Sequence, residues 1–199
     1  MQYPLNIPYT IILGSQSPRR KALLEGMGIN FELMVIPTDE SFDDTLPPMA
    51  IATSIAIKKG ECFRELVSND DLKNNLVITA DTIVAIDNKI LNKPSNKQEA
   101  VGMLKTLSGR KHRVFTGVCI TTNTGQDFFV TGTDVYFNPL TDEEINYYLE
   151  KDQPYDKAGS YGVQEWMGYV GIKKIDGCFF NVMGLPVNEL YRRLKKYSN

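Results

Sequence analysis

The sequence predicts an α/β protein on three observations. Apolar, strand-like runs alternate with segments that open on helix-start residues. The first such pair meets at a strand-to-helix turn, Leu13-Gly14-Ser15-Gln16-Ser17-Pro18-Arg19-Arg20. With 199 residues, 42% apolar and 23% charged, the chain can bury a real core and has an ordinary globular composition. We read residues 1–199 as a single domain with no internal repeat, low-complexity tract or clear linker.

Ile11, Ile12 and Leu13 form the first strand, and Pro18 suits the first position of the helix that follows through Leu24. Phe31 to Ile36 reads as a second strand, followed by an acidic loop from Thr38 to Asp44. Pro47 and Pro48 lead into a helix reaching about Val67, with Ile51, Ile55 and Phe63 among its apolar positions. Leu76 to Ile86 is a strand, turned by Asp87-Asn88-Lys89 into Ile90-Leu91. Ser95 or Asn96 caps a helix to about Leu107, stopped by Ser108-Gly109. Two longer strands, Arg113 to Thr122 and Phe128 to Phe137, are joined by a turn over Asn123-Thr124-Gly125-Gln126. Thr141-Asp142-Glu143-Glu144 is a capping-box signature for a helix ending near Lys151. After a glycine-punctuated loop from Tyr155 to Trp166, strands are expected at Tyr169 to Ile175 and at Cys178 to Val182. Pro186 starts a C-terminal helix whose basic end suits the helix dipole.

A formal charge of -2 gives no reason to expect a nucleic-acid binder or a basic membrane-surface protein. No apolar run approaches the roughly 18 residues of a membrane span, and the first residues do not read as a signal peptide, so we expect a cytoplasmic protein. Cys62, Cys119 and Cys178 are odd in number and far apart, which suggests reduced thiols. His112 is the only histidine, so a His-rich metal site is excluded and a structural role is the simpler reading. There is no P-loop, no G-x-S-x-G elbow and no G-x-G-x-x-G.

What remains is carboxylate, lysine and arginine, the side chains of metal-assisted chemistry on phosphates. The turn after the first strand would aim unpaired N–H groups, two hydroxyls and two guanidinium groups at one place, as a phosphate chain requires. A capped helix with two solvated arginines is the plain alternative. Asp81 follows the apolar run Leu76 to Ala80, where an ionised carboxylate needs a cation or donors beside it. Magnesium-like cations need only one or two carboxylates plus substrate oxygens. Glu40 is the natural second carboxylate, although by sequence it cannot be told from Asp39, Asp43 or Asp44. Taken singly, Lys59 and Lys93 read as surface lysines, with Pro94 biasing Lys93 towards an extended backbone. Asp156 to Gln164 is a turn-rich loop in which small residues allow close approach and a terminal amide can read a base edge.

Together these segments resemble the Maf family of nucleoside triphosphate pyrophosphatases. The motifs are Ser15 to Arg20, Ala80-Asp81-Thr82-Ile83-Val84, Leu91-Asn92-Lys93-Pro94, Leu107-Ser108-Gly109, Val114 to Val118, Asp156 to Gln164 and Asn181 to Pro186. The resemblance implies an elongated mixed sheet flanked by helices, with two lobes and a central cleft, as in the related inosine triphosphatases. It implies hydrolysis of a nucleoside triphosphate to monophosphate and pyrophosphate with a divalent cation, magnesium or manganese. By position, Asp81 would be the general base and, with Glu40, would hold the metal, and Lys59 and Lys93 would serve the reaction centre. Ser15, Arg19 and Arg20 would engage the substrate, and Thr82, Gln164 and Arg19 match positions tied to substrate choice in the dTTP/UTP branch. The expected partner is a nucleotide, with no nucleic acid and no membrane, and a homodimer stays open. The competing reading is a non-catalytic nucleotide sensor acting through protein contacts in cell division. The full set of carboxylates and lysines weighs against it. Gly14 and Gly60 stand where the family favours alanine. Glu165-Trp166-Met167 replaces a glycine-rich continuation and is expected to bring bulk and negative charge near the base pocket.

Overall fold

A twelve-residue strand, β3 (Asn75–Ile86), organises the molecule. In the computed structural model, which describes residues 5–43, 45–66, 72–87 and 89–198, it lies inside a seven-stranded mixed sheet. The strand order is β2 (Glu32–Leu33), β1 (Thr10–Leu13), β3, β5 (Lys111–Thr122), β6 (Gly125–Phe137) and β7 (Ile172–Asp176). β1 pairs parallel with β2 and with the first third of β3, whereas β5, β6 and β7 follow as antiparallel neighbours. β4 (Lys89–Leu91) returns antiparallel along the last residues of β3. The predicted α/β class is the observed one.

On the edge shared by β1 and β4, β3 has a gap. Leu13 of β1 pairs with Ile78, and the next ladder residue on that edge is Val84, opposite Leu91 of β4. Residues 79–83 lie between these two partners, and the loops leaving β1 and β4 flank the opening. The two main cores meet at the same place. Leu76, Ile78 and Ala80 belong to one, with Leu13, Leu24, Leu185 and Leu190. Val84 and Ile86 belong to the other, with Leu104, Leu107, Ile145 and Tyr148. Alternation along the strand puts Thr82 on the face of these even-numbered residues and Asp81 on the opposite one.

That opposite face carries α2 (Pro48–Leu66). Ala52 and Ala56 are buried there with Gly60, and Thr79 Oγ1 donates to Ala56 O at 2.7 Å. The helix backbone comes so close that a Cβ on Gly117, the cross-strand partner of Asp81, would lie 2.3 Å from Ala52 O. Small residues on helix and sheet thus bring Lys59, two turns after Ala52, beside Asp81.

The local signals act as expected. Pro18 opens α1 (Pro18–Gly26) with Ser17 as its cap, and Asn96 caps α3 (Lys97–Leu107). Thr141 and Glu144 form both halves of the capping box of α4 (Asp142–Asp152). Val67, the expected end of the second helix, lies outside the described residues, as do Asp44 and the Asn88 of the expected turn.

Four expectations are corrected. The strand expected over Phe31 to Ile36 is only Glu32–Leu33, because β1, its ladder partner among the described residues, ends at Leu13. The β5–β6 turn is confined to Asn123 and Thr124, with Gly125 and Gln126 already in the ladder. Tyr169 and Val170 close a short helix, α5 (Trp166–Val170), and strand structure begins only after Gly171. Cys178 to Val182 is not a strand: Phe179–Met183 forms α6. Asn181 is fully buried there, and its Nδ2 donates to Val114 O at 3.0 Å and Thr133 Oγ1 at 2.9 Å. Gly184 ends α6 at φ 115°, a left-handed conformation that glycine adopts readily. The last helix, α7 (Val187–Leu194), starts after Pro186. Among the described residues no helix is long and apolar enough to cross a membrane.

Candidate active site

A cavity of about 550 Å³ opens into the gap along β3. The nine residues to which the resemblance gives site roles all line it: Ser15, Arg19, Arg20, Glu40, Lys59, Asp81, Thr82, Lys93 and Gln164. They come from α1 and the turn before it, the acidic loop, α2, β3, the segment after β4 and the late glycine loop.

At the centre, Lys59 Nζ lies 2.8 Å from Glu40 Oε1 and 2.9 Å from Asp81 Oδ1. Lys59 and Asp81 are nearly enclosed and Glu40 is half-exposed. Partial burial works against ionised Glu40, but the Lys59 hydrogen bond and the charges of Lys59, Lys93 and Arg20 outweigh it and hold the carboxyl below its ordinary range. The structure also separates Glu40 from its loop neighbours. Asp39 accepts from Ser41 N and Oγ, and Asp43 accepts from Thr45 N and Oγ1, so both close on their own loop. Of the described acidic-loop carboxylates, Glu40 is the one in the cavity wall.

The turn before α1 is held by Arg20. Its Nη1 donates to Ser15 Oγ at 3.1 Å, its Nη2 to Thr82 Oγ1 at 3.1 Å and its Nε to Gly184 O at 2.8 Å. Burial lowers the pKa of this guanidinium, and the neighbouring charge of Asp81 opposes that shift. Thr82 Oγ1 is 3.0 Å from Thr116 Oγ1, which donates to Asn181 O. Arg19 points elsewhere, with Nη1 3.2 Å from Asp156 Oδ2.

In the part of the wall formed by the late glycine loop, Gln164 Oε1 is buried and accepts no hydrogen bond from the described residues. Tyr161 lines the same wall, backed by His112, whose Nε2 is 2.7 Å from the Tyr161 hydroxyl. His112 is itself buried and outside the cavity lining, in keeping with a structural role. Glu165 does not line the cavity either. Its carboxylate pairs with Lys157 at 2.8 Å and accepts from Tyr148 OH at 2.5 Å. The negative charge expected near the base pocket is therefore paired and directed elsewhere.

Sequence reasoning gave no role to Lys157, Tyr148 or Thr116. Lys157 stands beside Asp156 in the loop that drew attention, and that adjacency was its only signal. Thr116 lies in the Val114 to Val118 motif with no role attached to it, and nothing local marks Tyr148, whose partners Gly162 and Glu165 lie 14 and 17 residues away.

The donor set fits a hard divalent cation. Glu40 and Asp81 supply oxygens that converge on one ammonium, in the wall of a cavity also lined by Arg19 and Lys93. Among the described residues no group of three or more His, Cys, Asp or Glu forms a metal cage. A cation there would complete its shell with water and substrate oxygens.

The family model for Maf-like proteins matches residues 10–197. A dTTP/UTP pyrophosphatase of Bacteroides thetaiotaomicron is 49% identical over 189 residues, covering 94% of this chain and 96% of the relative. A dTTP/UTP pyrophosphatase of Porphyromonas gingivalis is 50% identical over 191 residues, covering 96% of this chain and 95% of the relative. Among solved structures, a nucleoside-triphosphatase (dITP/XTP pyrophosphatase) of Mycobacterium abscessus is 14% identical with a TM-score of 0.39, covering 64% of this chain and 74% of that one.

Proposed function

This chain belongs to the Maf-like protein family, and we propose from that premise that it hydrolyses nucleoside triphosphates to the monophosphate and pyrophosphate. dTTP and UTP are the preferred substrates in this reading, supported by the names of relatives about half identical over nearly the whole chain. The observation that carries the reading is the convergence of Glu40, Lys59 and Asp81 inside a cavity also lined by Ser15, Arg19, Lys93 and Gln164.

Water attacks the α-phosphorus, the bond to the bridging oxygen breaks and pyrophosphate leaves. Asp81 accepts the proton from that water. Its Oδ1 is held by Lys59, which leaves Oδ2 for the proton transfer. Glu40 and Asp81 would hold the divalent cation, which when bound neutralises phosphate charge and lowers the pKa of bound water. Lys59 keeps the two carboxylates together and carries positive charge towards the α-phosphate. Arg19, Lys93 and the α1 N-terminus meet the rest of the phosphate chain. Ser15 and Thr82 are oriented by Arg20, which sets the floor of the site. Gln164 reads the base: an amide has one acceptor and two donors, matching the N3–H and 4-oxo edge of uracil and thymine.

A pyrophosphate-release assay over a panel of triphosphates, with and without magnesium or manganese, tests this. Release from dTTP and UTP with a divalent cation, and little from CTP, is expected. Binding without turnover on any triphosphate would favour a nucleotide sensor instead. The cytoplasm is the compartment in which such substrates and reduced thiols coexist, and we place the protein there.

A further inference from the structure

Lys157 is 8% exposed, rare for an ammonium group unless it is paired. Its Nζ donates to Asp156 Oδ1 at 2.7 Å and pairs with Glu165 Oε1 at 2.8 Å. Each carboxylate has a second partner. Asp156 Oδ2 accepts from Arg19 Nη1 at 3.2 Å, and Glu165 Oε2 accepts from Tyr148 OH at 2.5 Å. The Tyr148 oxygen accepts in turn from the Gly162 N–H at 3.0 Å. A chain of polar contacts therefore runs from Arg19, at the start of α1, to the turn that carries Gln164. The turn is closed by Glu165 N donating to Gly162 O at 3.1 Å. Glu165 folds back over it so closely that a Cβ on Gly162 would lie 2.6 Å from Glu165 Cδ.

We propose that Lys157 is a positioning residue for base selection, acting by clamping Asp156 to Glu165. The clamp holds Arg19 and Gln164 in fixed relation across the cavity, so that a phosphate chain seated on Arg19 presents its base to Gln164 in one register. This rests on the phosphate and base roles given to those two residues above. The reasoning is electrostatic. Without the ammonium, Asp156 is left to Arg19 and competes with the phosphate chain for it, Glu165 keeps Tyr148 but loses its countercharge, and the Gln164 turn loses its anchor. Glu165 is part of this device through its charge. Its removal together with the ammonium leaves one stray carboxylate fewer than removal of the ammonium alone.

The test is calorimetric binding of the non-hydrolysable α,β-imido analogues of UTP and CTP, with melting temperatures measured alongside. The proteins are the wild type, Lys157→Met, Glu165→Gln, the double variant and Asp156→Asn. Wild type should prefer the UTP analogue. Lys157→Met should weaken UTP-analogue binding at least tenfold and bring the UTP-to-CTP ratio near one. Adding Glu165→Gln should recover part of the affinity by removing the stray carboxylate, whereas Glu165→Gln alone, which breaks one arm of the clamp, should lower the UTP-to-CTP ratio, though less than Lys157→Met. Asp156 is largely exposed, so Asp156→Asn tests the same clamp if Lys157→Met does not fold, and it should also reduce the ratio. A folded Lys157→Met with unchanged ratio, a double variant no better than Lys157→Met, or Asp156→Asn with the wild-type ratio would each overturn the clamp. So would a wild type that binds both analogues equally. Pyrophosphate release by the wild type separates the two readings: without release the hydrolase reading falls while the affinities still judge the clamp.

Discussion

Arg20 Nη2 donates to Thr82 Oγ1 at 3.1 Å, joining the first turn of α1 to the middle of β3 at the seam between the two main cores. The same guanidinium binds Ser15 and Gly184, so its donors serve protein acceptors and shape the cavity floor.

Arg20→Ala should therefore cost stability as well as binding. Three part-buried hydrogen bonds from a charged donor are lost, and a destabilisation of about 3 kcal/mol is expected. Arg19→Ala, with one half-exposed ion pair, should cost less than about 1 kcal/mol while raising KM. Urea unfolding of the two variants measures the contrast, and equal losses would contradict it.

Asp81→Asn should keep the fold and lose turnover by about 10²- to 10⁴-fold, the usual contribution of a general base. Steady-state kinetics with a melting curve on the same sample decides it. Turnover at the wild-type level in the folded variant would remove Asp81 from that role.

Gly117→Ala should be among the most damaging small substitutions in the chain. Its Cβ would meet the Ala52 backbone, which cannot yield without lifting α2 and Lys59 away from Asp81. A loss of about 3 kcal/mol is expected, together with reduced kcat. At Gly60 the added Cβ would lie 2.4 Å from Thr121 Oγ1 and 2.8 Å from Gln126 Nε2, both side-chain atoms. Gly60→Ala should cost less, about 1 kcal/mol, because those groups can shift. Thr121 and Gln126 thus account for glycine where the family favours alanine. At Gly14, Thr79 Cγ2 and Phe63 Cε2 fill the corresponding space at 2.8 and 2.9 Å.

His112 supplies an acid sensitivity. Burial lowers its pKa to about 4, a shift that the charge of Asp134 only partly opposes. The neutral ring is favoured in the folded state, while the unfolded chain takes up a proton near its ordinary pKa of about 6.5. The resulting contribution, roughly 3 kcal/mol, is complete above that pH and is lost as pH falls towards 4. Glu40 and Asp156, held low in the folded state, lose theirs only in the more acid carboxylate range. Denaturant unfolding at pH 7.5, 5.5 and 4.5 should show stability falling before the carboxylates titrate. His112→Gln should flatten that first decline.

Much of the site was legible because its motifs are short and local. The strand, turn and capped helix from Leu13 to Arg20 follow from residues within one turn of each other. So does the capping box at Thr141. The resemblance supplied roles for Lys59 and Lys93, which taken singly read as surface lysines, whereas Asp81 already stood out after an apolar strand and Gln164 at the end of a turn-rich loop. Glu40 could not be separated from Asp39 by sequence, since the difference is that Asp39 is occupied by Ser41 while Glu40 reaches across to α2. Cys178 to Val182 misled because a short, largely apolar segment suits a strand or a short helix equally. A buried Asn181 bound to β5 and β6 decided between them.

The chain order of strands and helices, their caps and the chemical character of the cavity were determined by the sequence itself, through interactions spanning a few residues. The gap beside β3 between its pairings with β1 and β4, the seating of α2 on Gly117, and the Arg19-to-Gly162 polar chain were decided only by tertiary structure. The physical reason is that each depends on which distant backbone groups find partners, and that is settled when the whole sheet closes.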